Sequence, residues 1–197
     1  MSVTDPVTKA DSKPDPGPDF GPDFEAQLPS ADKREAALCA HLDRLGIDWT
    51  IHTHAPVFTV EEAKNLRGSL PGLHTKNLFL KDKSGGLWLV VAREELTLDL
   101  NALSKLLGSP RFSFSKPALM VETLGIAPGA VTPFALINDI DLRITAVFDK
   151  AMMEGDILNF HPLRNDKTMA IAAQDLLKFT EGTGHMPRLI TLPERPE

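Results

Sequence analysis

The stretch TKNLFLKDKSGGLWLVVAR, residues 75–93, constrains the fold more than any other. Two apolar runs of strand length flank Ser84-Gly85-Gly86, where glycine supplies the backbone freedom of a tight turn, so the segment predicts a β-hairpin. Side chains on a strand alternate between faces, which puts Lys76 on the same face as Leu78 and Leu80. An ammonium on an apolar face is costly unless it meets an anion or sits at a rim. Lys76 is therefore either a strand-end lysine that snorkels to water or a ligand-facing cation.

Around this hairpin, strands outnumber helices. SADKREAALCAHLDRLG reads as a helix capped by Ser30, with Ala36, Leu38, Leu42 and Leu45 on its apolar stripe and a stop at Gly46. IDWTIHTHA reads as a strand. Thr59-Val60-Glu61-Glu62 has capping-box spacing and predicts a short helix ending near Gly68. LDLNALSKLLG (capped by Asp99), KPALMVETLG and AAQDLLKFTEGTG read as helices, RFSFS as a short strand, and APGAVTPFALIN, LRITAVFD, ILNFHPLRN and KTMAIAA as mostly β. Hairpin-like succession outweighs strict βαβ alternation. The expected class is α+β, with a mixed, largely antiparallel sheet that curls, towards a barrel, and is flanked by helices. Neither GxGxxG nor GxxxxGK[ST] occurs, which disfavours a doubly wound nucleotide fold.

The 197 residues suit one domain with an appendage. Residues 1–30 contain six prolines and little aliphatic periodicity and are expected to be a disordered tail, with the folded domain at 31–197. Of the net charge of −6, that tail carries six carboxylates against two lysines, so the remainder is close to neutral. This balance argues against wrapping duplex DNA but permits docking of one RNA end through a few cations. No run has membrane-spanning length and no secretory leader is visible, so neither membrane nor export is expected. A single cysteine, Cys39, rules out an internal disulfide and fits a cytoplasmic protein. Its place within a helix points to a buried thiol, not a nucleophile.

Three other places concentrate chemistry. In ILNFHPLRND, alternation puts Asn159 and His161 on one face, and Pro162 forces His161 to be extended and ends regular pairing. His161 is either hydrogen-bonded at a strand terminus or turned to a ligand. In GIAPGAVTPF, Gly129 permits close backbone approach, and amides there could hold a carbonyl or phosphate oxygen. His52 and His54 share a strand face, but no third donor nearby completes a metal site, and none is expected.

Together, TKNLFLKD (75–82), PGAVTPFAL (128–136) and FHPLRNDKTMAI (160–171) resemble the YbaK-like aminoacyl-tRNA deacylase superfamily, which includes the editing insertion of bacterial prolyl-tRNA synthetases and its free-standing relatives. HTHAPVFTVEEA (52–63) fits the same pattern, and the resemblance spans about residues 31–192. It implies hydrolysis of a mischarged aminoacyl-tRNA, Ala-tRNA(Pro) first and Cys-tRNA(Pro) or another mischarged species as the alternative, or a tRNA-binding relative without catalysis. It also implies no cofactor. Lys76, Gly129 and His161 match the family's catalytic positions. Asn165 and Thr168 match the polar positions after His-Pro, and Asn77, Ala130, Pro133, Phe134, Ile51, Val57 and Phe58 are candidate substrate contacts. The implied partners are the acceptor end of tRNA(Pro) and a prolyl-tRNA synthetase. Lys81, Lys83, Arg93, Arg164 and Lys167 are either phosphate contacts for the acceptor stem or simply solvated surface charges.

Overall fold

The computed structural model describes residues 24–53 and 70–195. The expected helix at 59–68, His54, Val57, Phe58 and most of the expected tail lie outside the described residues. The elements run α1 (Ala31–Arg44), β1 (Trp49–Thr53), β2 (Leu73–Asp82), β3 (Leu87–Arg93), α2 (Leu100–Leu107), β4 (Phe112–Phe114), α3 (Pro117–Leu124), β5 (Ile144–Asp149), β6 (Ile157–Phe160), β7 (Lys167–Ala172), α4 (Ala173–Gly182) and β8 (Arg188–Ile190). The strands form one mixed sheet in the order β1-β7-β6-β2-β3-β5-β8, with β4 beside β2. Its path ends at β1 and β8, so among the described residues it is open and not a barrel.

The local rules that start and stop these elements are visible. Asp99 accepts hydrogen bonds from the Asn101 and Ala102 amides and caps α2, while Gly108 and Gly125, both left-handed, end α2 and α3. Asp82 holds the β2–β3 turn through Ser84, the Gly86 amide and the Trp88 indole. Burial pushes its carboxyl pKa up, but those hydrogen bonds outweigh it and bring it down to about 2.

Two readings are corrected. APGAVTPFALIN contains no strand: Thr132 caps a 3-10 helix over Pro133–Asn138. On α1 the exposed Ala36 is off the core stripe, and Arg34 is buried beside Leu38 and Leu42 instead. Arg34 donates to Pro29 O, to Glu25 Oε1 and to Leu163 O, so residues 25–29 fold back against the domain.

The sheet has two unlike faces. The first carries Phe79, Leu89, Val91, Ala146, Phe148, Leu158, Phe160, Met169 and Ile171 and is covered by α1, α3, α4 and the 3-10 helix. On the second, Leu80, Val90, Ala92 and Val147 pack under α2, Phe112 and Leu192. Among the described residues, that second core covers only the β2-β3-β5 side.

Candidate functional site

The remaining part of the second face, over β1, β7, β6 and the start of β2, carries polar residues beside Ile157, Ala170 and Ala172. Cross-strand partners share a face. His52 is opposite Thr168 in the β1–β7 ladder, and Asn159 is opposite Ala170 in β6–β7. Asn159 also lies beside His74 in the parallel β2–β6 pair. Two residues further along each chain, on that same side, come Lys76 on β2 and His161 just past the end of β6. Lys76 sits where the second core gives way to this polar area, opposite Ala92 of that core.

The Lys76 ammonium donates to the Glu94 carbonyl at 3.0 Å and to the Leu96 carbonyl. An ammonium has three protons, so two carbonyls leave one to direct elsewhere. His161 Nδ1 lies 3.1 Å from the Lys167 carbonyl. A carbonyl only accepts, so Nδ1 carries the proton, and in the neutral ring Nε2 is the acceptor. Asn159, only 4% exposed, donates from Nδ2 to the Pro71 carbonyl, while its buried Oδ1 has no partner among the described residues. A buried amide oxygen without a donor is costly, and on this face it suits a donor group of a ligand. The 159/161 alternation is the sequence signal that reaches Asn159.

The loop Ala127–Ala130 closes with a hydrogen bond from the Ala130 amide to the Ala127 carbonyl. With Pro128 second and Gly129 third at φ +88°, this is the type II pattern. A Cβ on Gly129 would lie 3.6 Å from Asn165 Nδ2, so this turn meets the loop that follows His161. The turn itself consumes the Ala130 amide, one of the donors expected to be available to a ligand.

FHPLRND is polar for two reasons. His161 belongs to the site's face, whereas Arg164, Asp166 and Lys167 dock the loop onto α1. Arg164 pairs with Asp166 and Asp32, each at 2.5 Å, and with Glu35 at 3.1 Å; Lys167 meets Glu35 at 2.8 Å. These carboxylates, Asp166 first, raise the guanidinium pKa well above its ordinary value. Leu163, buried with φ +63°, is left-handed without being glycine and is held there by Arg34 on its carbonyl. Arg93 pairs with Asp149 at 2.8 Å. Arg93, Arg164 and Lys167 are thus engaged with carboxylates.

Other expected contacts lie elsewhere. Asn77 alternates with Lys76 and faces the first core, where its Oδ1 is buried without a partner among the described residues. Ile51 is opposite Met169 on that same core face. Ala130 and Pro133 are buried, and Phe134, 0% exposed, packs edge-on against Phe160 and Phe179. Phe134 is core beneath the Gly129 turn and offers no substrate surface. Asn165 is exposed, and Thr168 is half-buried beside His52. Cys39 is half-buried on α1, where burial first, then Glu35 and Asp43, push its thiol pKa up. Among the described residues no group of three or more His, Cys, Asp or Glu is placed to hold a metal, and no helix is long and apolar enough to cross a membrane.

Residues 54–179 match the family described as "Aminoacyl-tRNA editing domain". The chain is 41% identical over 152 residues to the prolyl-tRNA synthetase associated domain-containing protein 1 of Danio rerio, covering 76% of this chain and 83% of that one. It is 34% identical over 157 residues to the prolyl-tRNA editing protein ProX of Acetoanaerobium sticklandii, covering 79% and 96%. A solved structure described as a candidate trans-editing enzyme for prolyl tRNA synthetase shares the fold at TM-score 0.62 and 20% identity, over 82% of this chain and 98% of that one.

Proposed function

The chain belongs to the aminoacyl-tRNA editing domain family, and from this premise we propose that it is a cytoplasmic trans-acting hydrolase that removes alanine from mischarged Ala-tRNA(Pro). The observation that supports the reading is the His74–Asn159 pairing, from which strand alternation leads to Lys76 on one strand and to His161 just past the other.

The substrate is an ester between the amino acid and the terminal ribose. Water adds to the carbonyl carbon, the bond to the ribose oxygen breaks, and that oxygen takes up a proton, leaving a free carboxylate and an intact tRNA end. Negative charge develops on the carbonyl oxygen. The remaining proton of the Lys76 ammonium meets that charge or the terminal phosphate, a role in which a fixed donor is worth more than water. The Nε2 lone pair of His161 orients the attacking water or the neighbouring ribose hydroxyl. Asn159 Oδ1 accepts from the ribose or from the amino group of alanine. The backbone at Gly129, with Asn165 over it, supports the ester from the loop side. Positioning and electrostatics do the chemistry, without an acyl-enzyme.

Alanine is separated from proline by size, because a site that closes on a methyl group refuses a ring. The test is hydrolysis of Ala-, Cys-, Ser- and Pro-tRNA(Pro) and of Ala-tRNA(Ala). Cleavage of Ala-tRNA(Pro) with Pro-tRNA(Pro) spared supports the reading. Preference for another mischarged species redirects the substrate, and cleavage of none removes the enzyme reading.

A further inference from the structure

Arg34 occupies the apolar stripe of α1. Residues 34, 38 and 42 follow one another at helical spacing, and Arg34 is only 6% exposed beside the fully buried Leu38 and Leu42. Arginine is almost never fully buried unless it is paired. An apolar side chain in such a place often serves stability as well as an ion pair does, because desolvation of the charge offsets the attraction. Stability alone therefore gives no reason for a guanidinium at this position.

All three nitrogens of that guanidinium are engaged. Nε and Nη2 both donate to the Leu163 carbonyl at 3.3 Å, Nη1 donates to the Pro29 carbonyl at 2.5 Å, and Nη2 also donates to Glu25 Oε1 at 2.6 Å. A planar fork reaches acceptors on separate sides at once, which an ammonium does not. Arg34 thus ties the segment Glu25–Pro29 to the loop that follows His161.

The residue it grips in that loop is the least favourable one there. Leu163 is buried and left-handed at φ +63°, and its amide donates to the His161 carbonyl at 3.0 Å across Pro162. Within the same reversal between β6 and β7, the Lys167 carbonyl comes to 3.1 Å from His161 Nδ1. A leucine leaves the left-handed region when nothing holds it, and a buried carbonyl needs a donor. Arg34 supplies the donors for Leu163, and so opposes relaxation of the turn that carries His161.

Resting on the function proposed above, we propose that Arg34 is a positioning residue for His161, and that Glu25, which completes its acceptors, makes the Glu25–Pro29 segment part of the site's support. Arg34 is buried and acts through the Leu163 turn. While the turn holds, the Nδ1 proton stays on the Lys167 carbonyl and Nε2 stays the acceptor turned to water or ribose hydroxyl. Releasing the turn frees the ring to change tautomer and orientation, which slows the chemical step more than it weakens substrate binding.

The test compares the full chain with Arg34→Met, which fills the space without the charge, and with Glu25→Gln, which alters a partly exposed carboxylate and keeps the guanidinium. Long-range 1H–15N spectra, recorded where imidazoles are neutral, report the tautomer of each ring. The His161 signals are identified by their loss in His161→Gln. The parent protein should show His161 protonated at Nδ1, Arg34→Met a mixture of tautomers, and Glu25→Gln a smaller change in the same direction. With Ala-tRNA(Pro), kcat should fall about tenfold in Arg34→Met and about threefold in Glu25→Gln, with KM unchanged within about twofold. Millimolar guanidinium should restore part of the rate to Arg34→Ala, and sodium at equal concentration should not. A folded Arg34→Met that keeps either the parental tautomer or the parental kcat overturns the proposal. Should Arg34→Met not fold, the same outcome in Glu25→Gln overturns it. If the parent protein cleaves no ester, the tautomer decides alone: a shift leaves the positioning of His161 standing while the hydrolase reading fails, and no shift removes both.

Discussion

The carbonyl of Lys167 receives the Nδ1 proton of His161 at 3.1 Å, so the first residue of β7 fixes the ring just past the end of β6. The same Lys167 is tied by its side chain to Glu35 of α1, which also holds Arg164. Orientation of the imidazole is therefore coupled to a helix more than a hundred residues earlier in the chain.

Arg164→Ala tests that coupling. It removes the guanidinium, 15% exposed, that holds Asp32, Glu35 and Asp166 together. Leaving three carboxylates near one lysine should cost about 1–3 kcal/mol of stability. Where the protein remains folded, kcat for Ala-tRNA(Pro) should fall while binding of short RNA stays unchanged. Thermal denaturation and single-turnover kinetics check both.

The Gly129 turn gives a second prediction. At φ +88° an alanine is strained, by about 1 kcal/mol, although its methyl would make only ordinary contact with Asn165. Gly129→Ala should lower the melting temperature by a few degrees, and kcat/KM should drop by more than that destabilisation explains. Phe134→Leu is the contrasting variant. It acts on a buried ring, so it should cost stability and leave the preference for alanine over proline unchanged.

The β2–β3 turn predicts an acid effect. The folded pKa of Asp82, about 2, lies below the ordinary 3.8. A carboxyl depressed in this way adds stability above its unfolded value and loses it as pH falls through 3.8 towards 2. The shift is worth about 2 kcal/mol. Denaturant titrations at pH 5 and pH 2 should show Asp82→Asn less stable than the parent protein at the higher pH, with the difference shrinking at the lower.

Much of this architecture can be read from the residues, and the exceptions have physical causes. Period-two alternation around Ser84-Gly85-Gly86 specifies the hairpin, and Asp99, Gly108 and Gly125 bound their helices through local hydrogen bonding. PFALIN is a short apolar run that reads alike as strand or buried helix; the deciding signals are the Thr132 cap and Pro133 at the first helical position. Three residues are too few for a periodic pattern, so β8, paired in parallel with β5, goes unseen. Alternation placed Asn159 with His161 and set Lys76 among its strand neighbours, but only the register of β2 against β6 joins the two faces. That Arg164 and Lys167 answer carboxylates of α1 is a long-range fact that charge pattern along the chain does not contain.

The most direct test of the central claim is the single-turnover rate of Ala-tRNA(Pro) hydrolysis by the full chain, Lys76→Ala and His161→Ala, with tRNA binding measured in parallel. The expected result is cleavage by the parent protein and a fall of at least a hundredfold in each variant, with binding retained within a few-fold. Variants that cleave at the parental rate would contradict the assignment of this polar face as the place where the ester is broken.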